Sequence, residues 1–184
     1  MRVIAGRYKG RRLKTPTWEG VRPTSDKLRE TLFNILAPRI DGARVLDGYA
    51  GTGAVGIEAM SRGAAHVTFV ERDRRASALI VENVRICDAA AVYTIETGDV
   101  AALLRTRPAA FDVIWLDPPY ANADSVEALD AAAGALAPGG IVVLERATRL
   151  EPDVPQSLAR IRDVKSGDST LTFFTRASWE ISSG

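Results

Sequence analysis

Arg44-Val45-Leu46-Asp47-Gly48-Tyr49-Ala50-Gly51-Thr52-Gly53-Ala54-Val55-Gly56 is the stretch whose reading decides the fold. An apolar run ends on an acid, passes into glycines and opens a segment of helical composition that Gly63 stops. Strand, glycine turn and helix in that order leave the helix's first amides free to face a ligand. Gly51, Gly53 and Gly56 satisfy G-x-G-x-x-G, and Glu71 stands twenty residues after Gly51 at the end of the next apolar run. An acid there accepts hydrogen bonds from both ribose hydroxyls of a nucleoside cofactor. Taken alone, the signature suits NAD as well as S-adenosylmethionine. Asp47 helps to separate them, because a carboxylate beside the loop holds an ammonium group but repels a pyrophosphate.

Outward from this loop, short apolar runs alternate with longer helical stretches. Strands are predicted at 43–47, 66–71, 92–97, 111–117 and 140–145, and helices at 54–62, 73–87, 100–105 and 123–136. The helix at 73–87 places Ala76, Leu79, Ile80, Val84 and Cys87 on one face. The alternation calls for a parallel sheet with right-handed crossovers. Beyond residue 145, alternating runs at 160–164 and 169–175 flank a turn-rich sequence and predict a hairpin on one sheet edge. Segment 148–155 reads as loop, and 177–184 as a frayed tail. At the front, 3–6 and 11–13 flank Arg7-Tyr8-Lys9-Gly10 as a basic hairpin. Thr24 or Ser25 then caps a helix with Leu28, Leu32, Ile35 and Leu36 on its apolar face, and Pro38 is expected to end it.

Composition bounds the function. The chain has 184 residues, 46% of them apolar, enough for one domain with a full core. Cys87 is the only cysteine and His66 the only histidine, which excludes a disulfide framework and the usual metal-ligand clusters. No apolar run is long enough to span a bilayer, and no signal-peptide pattern follows the basic start, so a cytoplasmic protein is expected. The net charge of +1 hides an asymmetry: residues 1–30 hold nine basic residues against three acidic ones, and the body is acidic. A basic arm on an acidic body suits a polyanion that docks at one end.

Two further positions carry chemistry. Asp99 follows Gly98 at a strand end, where it can accept from an adenine amino group or cap the helix that begins at Val100. The run 111–116 delivers Asp117-Pro118-Pro119-Tyr120 to the carboxyl end of its strand. The prolines fix the turn and leave the Pro118 carbonyl as an acceptor. With Asp117 as a second acceptor and Tyr120 as a flat wall, the motif suits an exocyclic amine on a planar base. Hydrogen bonds to both amino protons draw the nitrogen lone pair out of conjugation and aim it at an electrophilic methyl group. Cys87 reads as a core thiol, which argues against thiolate-dependent methylation of a pyrimidine carbon.

These residues together resemble the class I S-adenosylmethionine-dependent methyltransferases that act on exocyclic amines. The start, Arg2-Val-Ile-Ala-Gly-Arg-Tyr-Lys-Gly-Arg-Arg-Leu13, with Arg22-Pro-Thr-Ser-Asp26 and Arg29-Glu-Thr-Leu-Phe-Asn34, resembles the bacterial RsmD family from residue 2 to about 176. That family comprises the 16S ribosomal RNA (guanine(966)-N2)-methyltransferases. The resemblance implies a Rossmann-like, mostly parallel seven-stranded sheet with a C-terminal antiparallel hairpin. A basic N-terminal extension (1–24), a methyltransferase domain (25–176) and the tail (177–184) are expected. The implied cofactor residues are Asp47, Tyr49, Gly51, Thr52, Gly53, Glu71, Arg72, Asp99, Val100 and Asp117, and the implied catalytic residues Asp117, Pro118 and Tyr120. Arg7, Tyr8, Lys9, Arg11, Arg12, Lys14 and Arg22 are the expected RNA contacts. The implied partners are S-adenosylmethionine and 16S ribosomal RNA within a small subunit, with the protein a monomer. The family loop usually reads Asp-Leu-Phe-Ala-Gly-Ser-Gly. Gly48 stands here in place of leucine and is expected to loosen the loop. Removing residues 1–14 is expected to spare cofactor binding, because the loop lies elsewhere in the chain. Four other functions compete: a DNA adenine-N6 methyltransferase, a protein glutamine-N5 methyltransferase, an NAD-dependent oxidoreductase and a non-catalytic RNA-binding assembly factor.

Overall fold

The computed structural model describes residues 1–18, 24–89, 92–119 and 122–177. Seven strands form one sheet: β1 (Arg44–Gly48), β2 (His66–Glu71), β3 (Tyr93–Thr97), β4 (Phe111–Leu116), β5 (Leu136–Ala147), β6 (Leu158–Ser166) and β7 (Ser169–Arg176). Five helices connect or flank them: α1 (Asp26–Ile40), α2 (Ala54–Ser61), α3 (Arg74–Ile86), α4 (Val100–Arg105) and α5 (Asn122–Ala135). The strand order is β3-β2-β1-β4-β5-β7-β6. The first five strands pair in parallel, and β7 pairs antiparallel with both β5 and β6. This is the Rossmann-like class I methyltransferase arrangement expected from the sequence.

Strand alternation assigns the two faces. Val45, Phe69, Trp115, Val143 and Phe173 point into a core that they share with α1, α2 and α3. Leu46, Val70, Ile114, Leu116, Leu144 and Phe174 point into a second core with α4 and α5. Successive side chains on opposite faces, both covered by helices, account for the unbroken apolar runs.

Some boundaries differ from expectation. Pro38 lies inside the last turn of α1, which runs on to Ile40. Burial of Ile40, and acceptance of the Ala43 N–H by its carbonyl, hold that turn despite the missing proline donor. β5 starts at Leu136 and carries Pro138, Gly139 and Gly140 within it, where the β4–β5 register shifts. A bulge accommodates the residues that read as a helix stop. At the N-terminus the expected hairpin strands reduce to one antiparallel bridge, Arg2 to Arg12. The Val3 and Gly10 amides still bond across the hairpin, to the Arg11 and Val3 carbonyls, whereas Ile4 and Ala5 donate to the Glu58 carboxylate, and Arg7 and Tyr8 to the Ser61 carbonyl and hydroxyl. Val3, Tyr8 and Leu13 are buried in the same core as α1 and α2.

Candidate active site

The strand order reverses between β1 and β4, and the crevice outside their carboxyl ends is where open α/β sheets bind ligands. β1 delivers the glycine loop there and β4 delivers Asp117. The Asp117 N–H donates to the Gly48 carbonyl at 3.4 Å, joining the two segments. Asp117 and Pro118 are half-buried. Tyr120 lies outside the described residues.

Asp47 is 1% exposed at the inner side of the loop, where its Oδ2 accepts the Gly56 N–H at 2.7 Å. It therefore satisfies an orphan amide in the first turn of α2, a contact its sequence position did not announce. Burial pushes its carboxyl up to about 8; the Gly56 hydrogen bond opposes this and the nearby Glu71 charge adds to it. Glu71, at the end of β2, accepts the Gly51 N–H through Oε2 and the Asp73 N–H through Oε1, each at 2.8 Å. Gly51 and Gly53 both have positive φ, at 56° and 75°, in the left-handed region that glycine adopts without a Cβ clash. Gly56 serves packing: a Cβ there would stand 2.3 Å from the Phe69 ring.

Gly48, expected to loosen the loop, sits where a side chain would be crowded. It is the last residue of β1, paired with Val70 and Leu116. A Cβ on it would meet Leu116 Cδ2 at 2.9 Å and Val100 Cγ1 at 3.1 Å. Val100 is thus a buried packing residue beside the loop root. Tyr49 holds a positive φ of 61°, and its hydroxyl donates to the Asp124 carbonyl at 3.4 Å. Burial, with the Asp124 and Asp99 charges, raises its hydroxyl pKa, whereas Arg72 lowers it. Tyr49, Asp99 and Arg72 therefore share one electrostatic neighbourhood. The Asp99 side chain accepts the Ala102 N–H at 2.8 Å, so it caps α4; it is exposed, as is Arg72. Thr52 is 3% exposed, with its carbonyl bound by Asn83 Nδ2 at 3.0 Å.

Of the expected RNA contacts, Arg7, Lys9, Arg11, Arg12 and Lys14 are exposed on the arm. Arg11 reaches the Ile86 carbonyl at 3.0 Å, and Lys14 pairs with Glu82 at 2.7 Å. Tyr8 is 5% exposed, so its ring packs in the core. Arg22 lies outside the described residues. The sequence reading missed the anchors of this arm. Glu58, Arg29 and Asn83 are all 0% exposed, and each binds arm backbone. A polar residue within an apolar helix face was the available signal: Asn83 lies beside Val84 on the face that carries Ile80.

The site suits a cationic nucleoside cofactor. Asp47 and Glu71 converge on the loop, an acidic pair that favours an ammonium or sulfonium and opposes a pyrophosphate. The fold and this site define a class I S-adenosylmethionine-dependent methyltransferase. The chain belongs to the family described as Conserved hypothetical protein 95, whose profile matches residues 1–175. It is 42% identical over 123 residues to YlbH of Bacillus subtilis, provisionally named an rRNA methyltransferase, a match that covers 65% of this chain and 67% of that one. Over 120 residues it is 39% identical to the ribosomal RNA small subunit methyltransferase D of Escherichia coli K12, covering 65% of this chain and 60% of that relative's length. The solved yhhF chain of Escherichia coli, provisionally named a methyltransferase, superposes with a TM-score of 0.85 at 30% identity, covering 97% of this chain and 98% of that one.

Proposed function

We propose that this protein methylates the exocyclic N2 amine of one guanine in 16S ribosomal RNA, at the equivalent of position 966, by direct in-line displacement. The observation that carries the reading is the bond from the Asp117 amide to the Gly48 carbonyl, which joins Asp117 to the root of the glycine loop at the switch point. The names of the small-subunit relatives support ribosomal RNA as the substrate class. When bound, S-adenosylmethionine supplies the electrophilic methyl group.

The chain's own residues bind and orient. Glu71 would accept the ribose hydroxyls, exchanging part of its present bonding to Gly51 and Asp73 for them. Asp47 would hold the methionine ammonium through the oxygen not bound to Gly56. Asp99 caps α4 through Oδ1, and its Oδ2 would receive the adenine amino group. The Asp117 carboxylate and the Pro118 carbonyl would accept the two amino protons of guanine, with Tyr120 stacked on the base. A base presented in this way must leave its stack, so the enzyme needs a grip on the flanking backbone. We assign that grip to Arg7, Lys9, Arg11, Arg12, Lys14 and Arg22.

Methyl transfer to small-subunit particles, naked ribosomal RNA, duplex DNA and a release-factor-like protein tests the substrate class. Mass spectrometry of ribosomal RNA nucleosides from cells lacking the protein tests the product. Loss of N2-methylguanosine at one small-subunit position is expected. An unchanged nucleoside profile, or transfer only to DNA or protein, would overturn the proposal.

A further inference from the structure

Two wholly buried side chains join the ends of the basic arm to the turn that opens α2. Asn83 on α3 receives the Lys14 N–H on Oδ1 at 2.7 Å. Its amide group donates back to the Lys14 carbonyl at 3.1 Å and onward to the Thr52 carbonyl at 3.0 Å. Arg29 on α1 donates to the Arg2 carbonyl at 2.7 Å and to the Ala54 carbonyl at 3.4 Å, with Asp26 at 2.6 Å steadying it. The Thr52 hydroxyl also lies 3.9 Å from Met1 Sδ. Arm residues 2 and 14 are thereby tied to residues 54 and 52, respectively, each through one side chain.

The Asn83 link is stiff. Its acceptor and both its donors lie in one amide plane, and all three contacts are to backbone. A shift of Lys14 either breaks a buried hydrogen bond or turns the plane against Thr52, and leaving a buried carbonyl unpaired is costly. Thr52 stands between Gly51, which Glu71 holds, and Gly53, which caps α2. The end of the link that carries Lys14 also carries the exposed cations Arg11 and Arg12.

We propose that Asn83 is a positioning residue that couples the arm to the cofactor loop, so that RNA held on the arm tightens the binding of S-adenosylmethionine, and the cofactor tightens RNA in return. The second half of this statement rests on the RNA reading above; the Asn83 bridge does not. A polyanion that fixes Lys14 also fixes the Thr52 carbonyl, so the second ligand meets a loop already ordered. Reciprocity is then a thermodynamic requirement.

The test is calorimetric titration of S-adenosylmethionine into the full chain, alone and with a saturating small-subunit rRNA transcript. The wild-type Kd is expected to tighten by about fivefold or more, the lower end of ordinary allosteric coupling. Asn83→Asp keeps the acceptor for Lys14 but turns an oxygen toward the Thr52 and Lys14 carbonyls. It is expected to weaken cofactor binding by about tenfold. The transcript is then expected to tighten binding by less than about twofold, while its own affinity, measured without cofactor, stays near wild type. In steady state the cofactor KM rises more than kcat falls. Equal wild-type Kd values with and without transcript, or undiminished tightening in folded Asn83→Asp, would overturn the coupling. If the variant does not fold, the wild-type comparison decides alone. If the transcript neither binds nor accepts methyl, the RNA reading fails, and unchanged cofactor affinity in folded Asn83→Asp would then remove the bridge as well.

Discussion

At the residue scale, burial raises the Asp47 carboxyl, and a cation seated beside it would favour the ionised form again. The folded Asp47 pKa of about 8 lies well above the ordinary value of 3.8 because burial disfavours the charged form. Between those two pH values the folded chain holds a proton that the unfolded chain has lost, so stability falls as pH rises across this window. The slope for one proton is about 1.4 kcal/mol per pH unit, and it levels above pH 8. Asp47→Asn copies the neutral form and keeps an oxygen for the Gly56 N–H. Urea unfolding of both proteins from pH 5 to 9 is therefore expected to show the variant gaining on the wild type as pH rises; parallel curves would mean that Asp47 is ionised in the fold. Glu71 combines two tasks, since it holds the loop through Gly51 and is assigned the ribose. Glu71→Ala is expected to weaken S-adenosylmethionine binding by about 1.5–3 kcal/mol, the range for hydrogen bonds to a charged group. Calorimetry showing unaltered affinity would remove the assignment. Asp117 is different in kind, because the bond proposed between its carboxylate and a guanine amine would matter most in the transition state. Asp117→Ala is expected to slow single-turnover methyl transfer by about a hundredfold or more while changing either ligand's affinity far less. Asp117→Asn retains an acceptor oxygen and measurable activity, and equal rates for Asp117→Ala and wild type would refute the clamp.

At the scale of elements, the arm carries the RNA prediction. Each phosphate contact contributes nearly one unit to the log–log salt slope on a duplex and somewhat less on a single strand. Arg11 and Arg12 are exposed, and replacing both with alanine is expected to flatten that slope and raise the RNA KM without disturbing the core. An unchanged slope would move the RNA surface to the body. The arm also shows what the sequence could and could not convey. The central elements were legible because both sheet faces are covered, so whole strands read as apolar, and the glycines at 51 and 53 mark a turn that other residues enter at a cost. Asp99 as a helix cap was legible from local chemistry alone. The arm's docking was not, because its anchors are single polar residues, Glu58, Ser61 and Asn83, that lie more than fifty positions away along the chain. Periodicity reports the face that a residue occupies, not the backbone group it meets there. Pro138-Gly139-Gly140 misled for a related reason: local breakers were absorbed by a bulge inside β5 that only the β4 pairing reveals.

At the scale of the whole molecule, the arm cannot be removed as a charged appendage. Val3, Tyr8 and Leu13 are 1%, 5% and 6% exposed, in the core that also holds α1, α2 and one face of the sheet. Burying side chains of this size contributes about 1.5–3 kcal/mol each, against a total stability of about 5–15 kcal/mol for an ordinary domain. Truncation to residues 15–184 would also strip Glu58 of its bonds to Ile4 and Ala5, leaving a buried carboxylate whose remaining partner among the described residues is Arg62. Asn83 and Arg29 would lose their arm contacts and, with them, part of the support for residues 52–54. The expectation that cofactor binding survives this deletion is therefore reversed: sequence distance from the glycine loop is not spatial distance. Differential scanning calorimetry of the truncated chain is expected to show a broad transition or one well below the full-length midpoint, and titration is expected to show cofactor affinity falling with it. The Arg11→Ala, Arg12→Ala double variant supplies the contrast, because it removes charge and the one exposed Arg11–Ile86 bond and leaves the packing and the bonds of the arm's own backbone in place. If the truncated chain melts at the full-length midpoint and binds S-adenosylmethionine normally, the arm contributes charge alone, and the hydrogen bonds that join it to α2 and the loop have no energetic weight.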